Sequence, residues 1–460
     1  FLGTMMISGA AVLSGVGLTQ AAEKARDSGR ILLDGIARLP KGLEEAAAFP
    51  LLEAIYGRRS RRFFMGAEIP DGVMAYKSEA EPMPLSELEQ MMVLTAMGGN
   101  TGWHNLIYRH KKYAPSLSNY ANAAGGRTFP SAAGFHTSEI FFTDDNGTYF
   151  MATRDAPSLV AYDSEGRFDL EKWLQAHRSR IRKLSDKRLY IPAEEPFMEG
   201  HNTWVANGPG TTLIWPVADL AQHHLSILAF LVQNGFCVYD DFNDRKIPGM
   251  EQFADLVDVE NPYPLSYMDR YTLSEATVEL STGCYAGALT LQALGLGGWM
   301  FDGIDPFTVL GASGNPEVPG LGFRYDMKEG WALPNVTGLA GVFEAYCPPH
   351  YQNMRAAVEA LARRKFGDGG PFSASTPGPF KDAAGVRGAA APFGDQFKAC
   401  IAHMAQYVYD TFGKYPASIP SVFHIMYVQA HHLDLSFYDK HFKPGAYLDS
   451  HKRHMENWHA

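Results

Sequence analysis

"ATVELSTGCYAGALTLQALGLGGWMFDGID", residues 276–305, is the stretch on which the fold turns. As far as Leu294 it holds no proline and repeats small and apolar residues at helical spacing, which predicts a long, mostly buried helix. Gly295, Gly297 and Gly298 then allow close backbone approach, and "WMF" predicts a short strand running into the Asp302–Gly303 loop. No G-x-G-x-x-G is present, so a dinucleotide-binding fingerprint is not supported.

Upstream, "PLSELEQMMVLTAMGG" (84–99) predicts a helix that starts at Pro84 and stops at Gly98-Gly99. "SEIFFTD" followed by "DNGTYFMAT" predicts strand, Asn-Gly turn, strand. Residues 169–189 read as one helix whose "RSRIRK" is a solvated face, "TTLIWPV" as a buried strand, and 220–235 as a buried helix closed by Gly235. Further helices are expected at about 350–366 and 394–412. The pattern is mixed α and β, with antiparallel strand pairs rather than regular βαβ alternation.

Composition narrows the function. The chain has 460 residues, 46% of them apolar and 20% charged, which argues against wholesale disorder. A formal net charge of -10 disfavours nonspecific nucleic-acid binding. Four widely spaced cysteines form no CxxC pair, which fits reduced, buried thiols in a cytoplasmic protein and gives no sign of a cysteine zinc site. Residues 1–22 carry no charge and read as a buried arm or subunit-contact helix, with membrane contact as the alternative.

Two further islands matter. "IYGRRSRRFF" (55–64) places guanidinium forks, a hydroxyl and backbone N–H groups at one turn after a helix, which suits a phosphate monoester. Alone it reads equally as a basic surface turn. "GRTFPSAAGFHTSEIFF" (126–142) has a small-residue loop that a flat ligand can approach, or an ordinary Pro-Ser turn before a hairpin.

Taken in order, Arg58-Arg59-Ser60-Arg61-Arg62-Phe63, Pro130-Ser131-Ala132-Ala133-Gly134 and Leu294–Asp305 resemble the nitroreductase-like flavoprotein superfamily, closest to its azoline-peptide dehydrogenase-like branch. The resemblance covers roughly residues 50–145 and 270–312. It implies an α+β fold, with a central, mostly antiparallel sheet flanked by helices, usually in a homodimer with FMN at the subunit interface. It also implies an oxidoreductase passing hydride through the flavin N5, with NAD(P)H or the substrate as donor and a small molecule or peptide as substrate. Carried over, Arg58, Ser60 and Arg62 would hold the phosphate and ribityl chain, and Arg59 would add backbone contacts. Pro130, Ser131 and Ala132 would pack on the ring edge, Asp302 and Gly303 would lie near N5, and Arg324 would complete the phosphate site. Arg61 is expected to face solvent or the partner subunit. Gly134 stands where the family commonly has Asn, and no catalytic acid or base is legible; His136 reads as structural.

The implied organisation is an N-terminal arm and helix (1–48), a first half (49–145), an insertion (146–270), a second half (271–345) and a helical, histidine-rich extension (346–460). A non-catalytic binding or assembly subunit is the alternative function. In the tail, His431 with Asp434, preceded by His424, and His451 with His454 would share helix faces, a spacing that can ligate a metal. With no fixed signature, these histidines read as interface or structural residues, and no metal site is assigned.

Overall fold

The computed structural model describes residues 41–102, 126–132, 134–154, 170–376, 380–388 and 392–459; the apolar segment 1–22 lies outside the described residues. A seven-stranded sheet organises them. Its strands are β1 (Ser138–Asp144), β2 (Gly147–Met151), β3 (Ile181–Ser185), β4 (Thr212–Asp219), β5 (Gly297–Phe301), β6 (Val422–Phe423) and β7 (Tyr427–His431). The order is β5-β7-β4-β1-β2-β3, with β6 also pairing β4, and every pair is antiparallel.

Side chains of a strand alternate between faces, and two separate cores result. Phe141 of β1 joins Trp215 and Leu213 of β4 in the larger core, while its neighbours Ile140 and Phe142 join Ile214, Val428 and Ala430 in the other. The larger core is completed by α4 (Leu220–Gln233), α6 (Met354–Phe366) and α7 (Asp395–Phe412) through Leu225, Leu228, Val358, Ile401 and Val408. Onto the other face pack α2 (Glu87–Gly98) and the second half of α5 (Leu265–Leu294), through Met91, Leu94, Met97, Cys284 and Leu291. A shorter helix, α1 (Leu51–Gly57), precedes the arginine turn, and α3 (Leu170–Arg178) follows β2. β4 is buried at every position, as an interior strand covered on both faces should be.

Two expectations are corrected. The single helix over 169–189 ends at Arg178, and residues 181–185 form β3 at the sheet edge against β2. Ile181 and Leu184 are three apart, a spacing that fits a helix face, but the basic residues Arg182 and Lys183 are exposed and guard an edge strand instead. The C-terminal part is not purely helical either, because it supplies β6 and β7. The interior strands β4 and β7 thus come from the segments read as insertion and extension.

Close packing of α2 on α5 depends on Gly283. A Cβ there would lie 2.8 Å from the carbonyl oxygen of Met97, a backbone atom that cannot swing aside. Alanine favours a helix over glycine by about 1 kcal/mol, whereas overpacking a close contact costs about 1–3 kcal/mol. Gly283→Ala is therefore expected to lower the melting temperature, as read by thermal denaturation, despite the better helix former.

Candidate functional site

Arg58 follows the last residue of α1 with extended backbone (φ -61°, ψ 128°), so the chain leaves the helix as a strand-like segment. Arg61 and Gly298 exchange two backbone hydrogen bonds, N–H to carbonyl at 3.2 and 2.9 Å. Gly298 has φ +140°, and a Cβ on it would fall 2.0 Å from the carbonyl oxygen of Gln429, so this position takes glycine because strand β7 lies against it. The arginine turn and the glycine strand, far apart in sequence, are thereby joined. Farther along, Phe64 bridges Leu433 and the Met65 amide donates to the His432 carbonyl at 3.1 Å.

Arg61 is buried, contrary to the expectation that it faces outward. Its guanidinium donates to the carbonyls of Ala446 (2.9 Å) and Gly57 (3.1 Å) and to Gln292 Oε1 (2.6 Å). Burial lowers its pKa to about 10, so it stays a cation at neutral pH. Alternation along the extended segment turns Arg61 inward together with Phe63 and leaves Ser60 exposed.

Arg62 is half-buried and lies 4.7 Å from the centroid of Trp299 and 5.9 Å from that of Trp204. It donates to Asn202 Oδ1 (2.5 Å) and the His201 carbonyl (3.1 Å), while its Nε is buried with no hydrogen-bond partner among the described residues. Asn202 Nδ2 in turn donates to the Asp302 carbonyl at 3.1 Å. Asn202 therefore ties Arg62 to the Asp302–Gly303 loop. Nothing in the local sequence around Asn202 marked it for that role.

The remaining expected residues are more scattered. Arg59 caps α1 by donating to the carbonyls of Tyr56 and Arg58, both at 2.8 Å. The Pro130 carbonyl accepts from Thr282 Oγ1 of α5 at 2.9 Å, Ser131 Oγ is buried without a partner among the described residues, and Ala132 is exposed. Arg61 meets the same helix at Gln292, so the Pro130 contact is displaced along its axis by roughly 15 Å at 1.5 Å rise per residue. Arg324 is exposed and pairs with Gly338 in a separate three-stranded sheet. Thus Arg62, Asp302 and Gly303 are brought together, Pro130–Ala132 lie farther along α5, and Arg324 lies on another sheet.

The tail histidines divide differently from their sequence spacing. His431 ends strand β7, so it shares no helix face with Asp434; its Nε2 donates to the Arg61 carbonyl at 3.0 Å. His432, His454 and His459 instead gather around Glu89 of α2, and the ligand atoms of these four lie within 4.8 Å of one another. Ser86-x-x-Glu89 is a capping box, the one signal in the sequence that could have singled out Glu89.

No family model matches this sequence, and no curated protein matches it. Among solved structures, a candidate nitroreductase from Ralstonia eutropha JMP134 is similar over 56% of this chain and 71% of its own, at 12% identity and a TM-score of 0.26. No helix among the described residues is long and apolar enough to cross a membrane.

Buried neutral histidines set an acid limit. Burial lowers the His177 pKa to about 3 and that of His424 to about 4. Unfolded, each takes up a proton near its ordinary value of about 6.5. Between those values the unfolded state binds more protons, so stability is full above pH ~6.5 and falls as pH drops toward 4, by up to about 1.4 kcal/mol per pH unit per group. Denaturation midpoints measured across that range are expected to decline, and less steeply in His424→Asn.

Proposed function

We propose that this chain is an FMN-dependent oxidoreductase of the nitroreductase-like kind, acting as a homodimer on a flat small-molecule or peptide substrate. The observation that carries the reading is the junction at Arg61 and Gly298, which sets Arg62 beside the Asp302–Gly303 loop through Asn202. The residues present fit an elongated anionic cofactor. The buried Arg62 Nε–H and the Ser131 hydroxyl lack partners among the described residues, and Arg58 and Ser60 are accessible beside Arg62. Arg58, Ser60 and Arg62 would hold the phosphate, and Ser131 the edge of the ring system. Bound there, FMN supplies hydride exchange with a donor such as NAD(P)H. Trp299 and Trp204 flank Arg62, restrict its rotamers and keep its charge partly dry, which strengthens its attraction for an anion.

A second copy is supported by α5. Tyr271, Val278 and Tyr285 are 45%, 46% and 42% exposed at seven-residue spacing, with Tyr267 one turn before them. Exposed apolar residues repeated every seven form a seam suited to another helix. Thr282, which holds the Pro130 carbonyl, is half-buried in the same stretch. Val278→Asp should convert a dimer into monomer by light scattering, and a dimer unaffected by it would place the interface elsewhere.

The cofactor reading is tested by releasing and weighing the small molecule bound to purified protein. The expected result is FMN. Arg58→Ala with Ser60→Ala removes accessible groups and should lower flavin content about tenfold or more, with the melting temperature of the flavin-stripped variant equal to that of the flavin-stripped parent. Full flavin occupancy in that variant would place the phosphate elsewhere, and a protein that neither carries nor binds FMN would overturn the reading.

A further inference from the structure

Three imidazoles close on one buried carboxylate at the junction of α2 and the C-terminal segment. The distances from Glu89 Oε1 to the Nε2 atoms of His432, His454 and His459 are 3.3, 2.8 and 3.1 Å. The side chains of Glu89, His432 and His454 are 0%, 1% and 4% exposed, and that of His459 is 18% exposed.

The outer contacts fix which atoms face inward. His432 Nδ1 lies 2.9 Å from the Met83 carbonyl and His454 Nδ1 lies 2.8 Å from the Leu294 carbonyl. A carbonyl only accepts, so each Nδ1 carries the proton, and in the neutral ring the Nε2 lone pair points at Glu89. A lone pair facing a carboxylate oxygen is repulsive unless a cation lies between them. His454 Nε2 is close to the carboxylate but without hydrogen-bond geometry, and it has no hydrogen-bond partner among the described residues.

Protons are a poor solution. Charging His432 and His454 would put two imidazoliums, with centroids 5.1 Å apart, against a single carboxylate in a buried site that also holds the His459 ring. One divalent ion satisfies the His432 and His454 lone pairs at once and takes His459 Nε2 as a third nitrogen ligand. Imidazole nitrogen and carboxylate oxygen are borderline ligands that suit zinc and its first-row neighbours. An ion held at about 2.0–2.2 Å by four tetrahedral ligands sets those ligands about 3.4 Å apart, near the three distances here. The second Glu89 oxygen accepts from the Ser86 amide at 2.6 Å, which leaves Oε1 as the one ligating atom. The Nδ1–H to carbonyl contacts are the outer shell that ligating histidines ordinarily have.

We propose that Glu89, His432, His454 and His459 bind one divalent transition-metal ion of the zinc class. Four protein ligands close its coordination shell, so the ion ties the C-terminal segment to the start of α2. A cleft of about 250 Å³, lined in part by Met65, His432, His451 and His454, gives it a route of entry.

The test uses the full chain, stripped with a chelator and titrated with zinc or cobalt(II). One equivalent of zinc per chain should bind and raise the melting temperature, and cobalt(II) should give the intense visible bands of a tetrahedral ion. His459→Ala, at a partly exposed position, removes a ligand with little risk to folding. Glu89→Gln keeps an oxygen for the Ser86 amide but loses the charge. Each should weaken zinc binding at least ~10-fold. Failure of the unmodified chain to bind a stoichiometric ion, or wild-type affinity in both variants, overturns the proposal. Both outcomes are read on protein of one fixed flavin content, so they are distinct from the failure of the flavin reading.

Discussion

Strand β7 is the constraint on which the other features depend. It lies between β4 and β5 and carries the ladder of β5, from Gly297 opposite His431 to Phe301 opposite Tyr427. Without it β5 would lose its partner, and the Arg61 bridge would have nothing rigid to dock on. The chain continuing from it turns back over the arginine segment at His432 and Leu433. One interior strand therefore sets both the position of Arg62 and the approach of the histidines to Glu89.

Two buried charges show how this region is held. Arg61 satisfies its guanidinium with two carbonyls and an amide oxygen rather than with a carboxylate. Such an arrangement stabilises only if every contact is present, since a buried charge that loses a partner costs several kcal/mol. Its partners come from α1, α5 and the segment near Ala446, so Arg61 fastens three distant parts of the chain at one point. Glu89 is the opposite case: one of its oxygens faces three imidazole nitrogens, an arrangement that the proposed cation would complete.

The legible parts were those with local causes. The helix stopping at Gly98, the hairpin that turns at Asp145-Asn146 just before Gly147 and the long helix ending at Leu294 follow from periodicity and turn chemistry within a few residues. The mixed fold and its antiparallel sheet follow from the same signals. Non-local causes were illegible. Gly298 was read as allowing close backbone approach, but what approaches it could not be named: it is the backbone of β7, contributed from more than a hundred residues away. Arg61 was expected to face solvent or the partner subunit, whereas its partners Gln292 and Ala446 are brought to it only by folding. The tail histidines were grouped by helical spacing, and the strand ending at His431 broke that grouping.

The arginine segment also joins the two sites. Arg61 docks on β5, and three residues later Phe64 and Met65 hold the chain that carries His432. An ion at Glu89 would require His432, His454 and His459 in place, so its binding free energy would become folding free energy for that part of the chain. Ordering His432 fixes Met65 and Phe64, and through them the run back to Arg62. Linkage is reciprocal: whatever steadies the arginine segment, a bound phosphate included, favours the arrangement that the histidines need. The path from one site to the other is short and made of backbone hydrogen bonds, which transmit position with little slack.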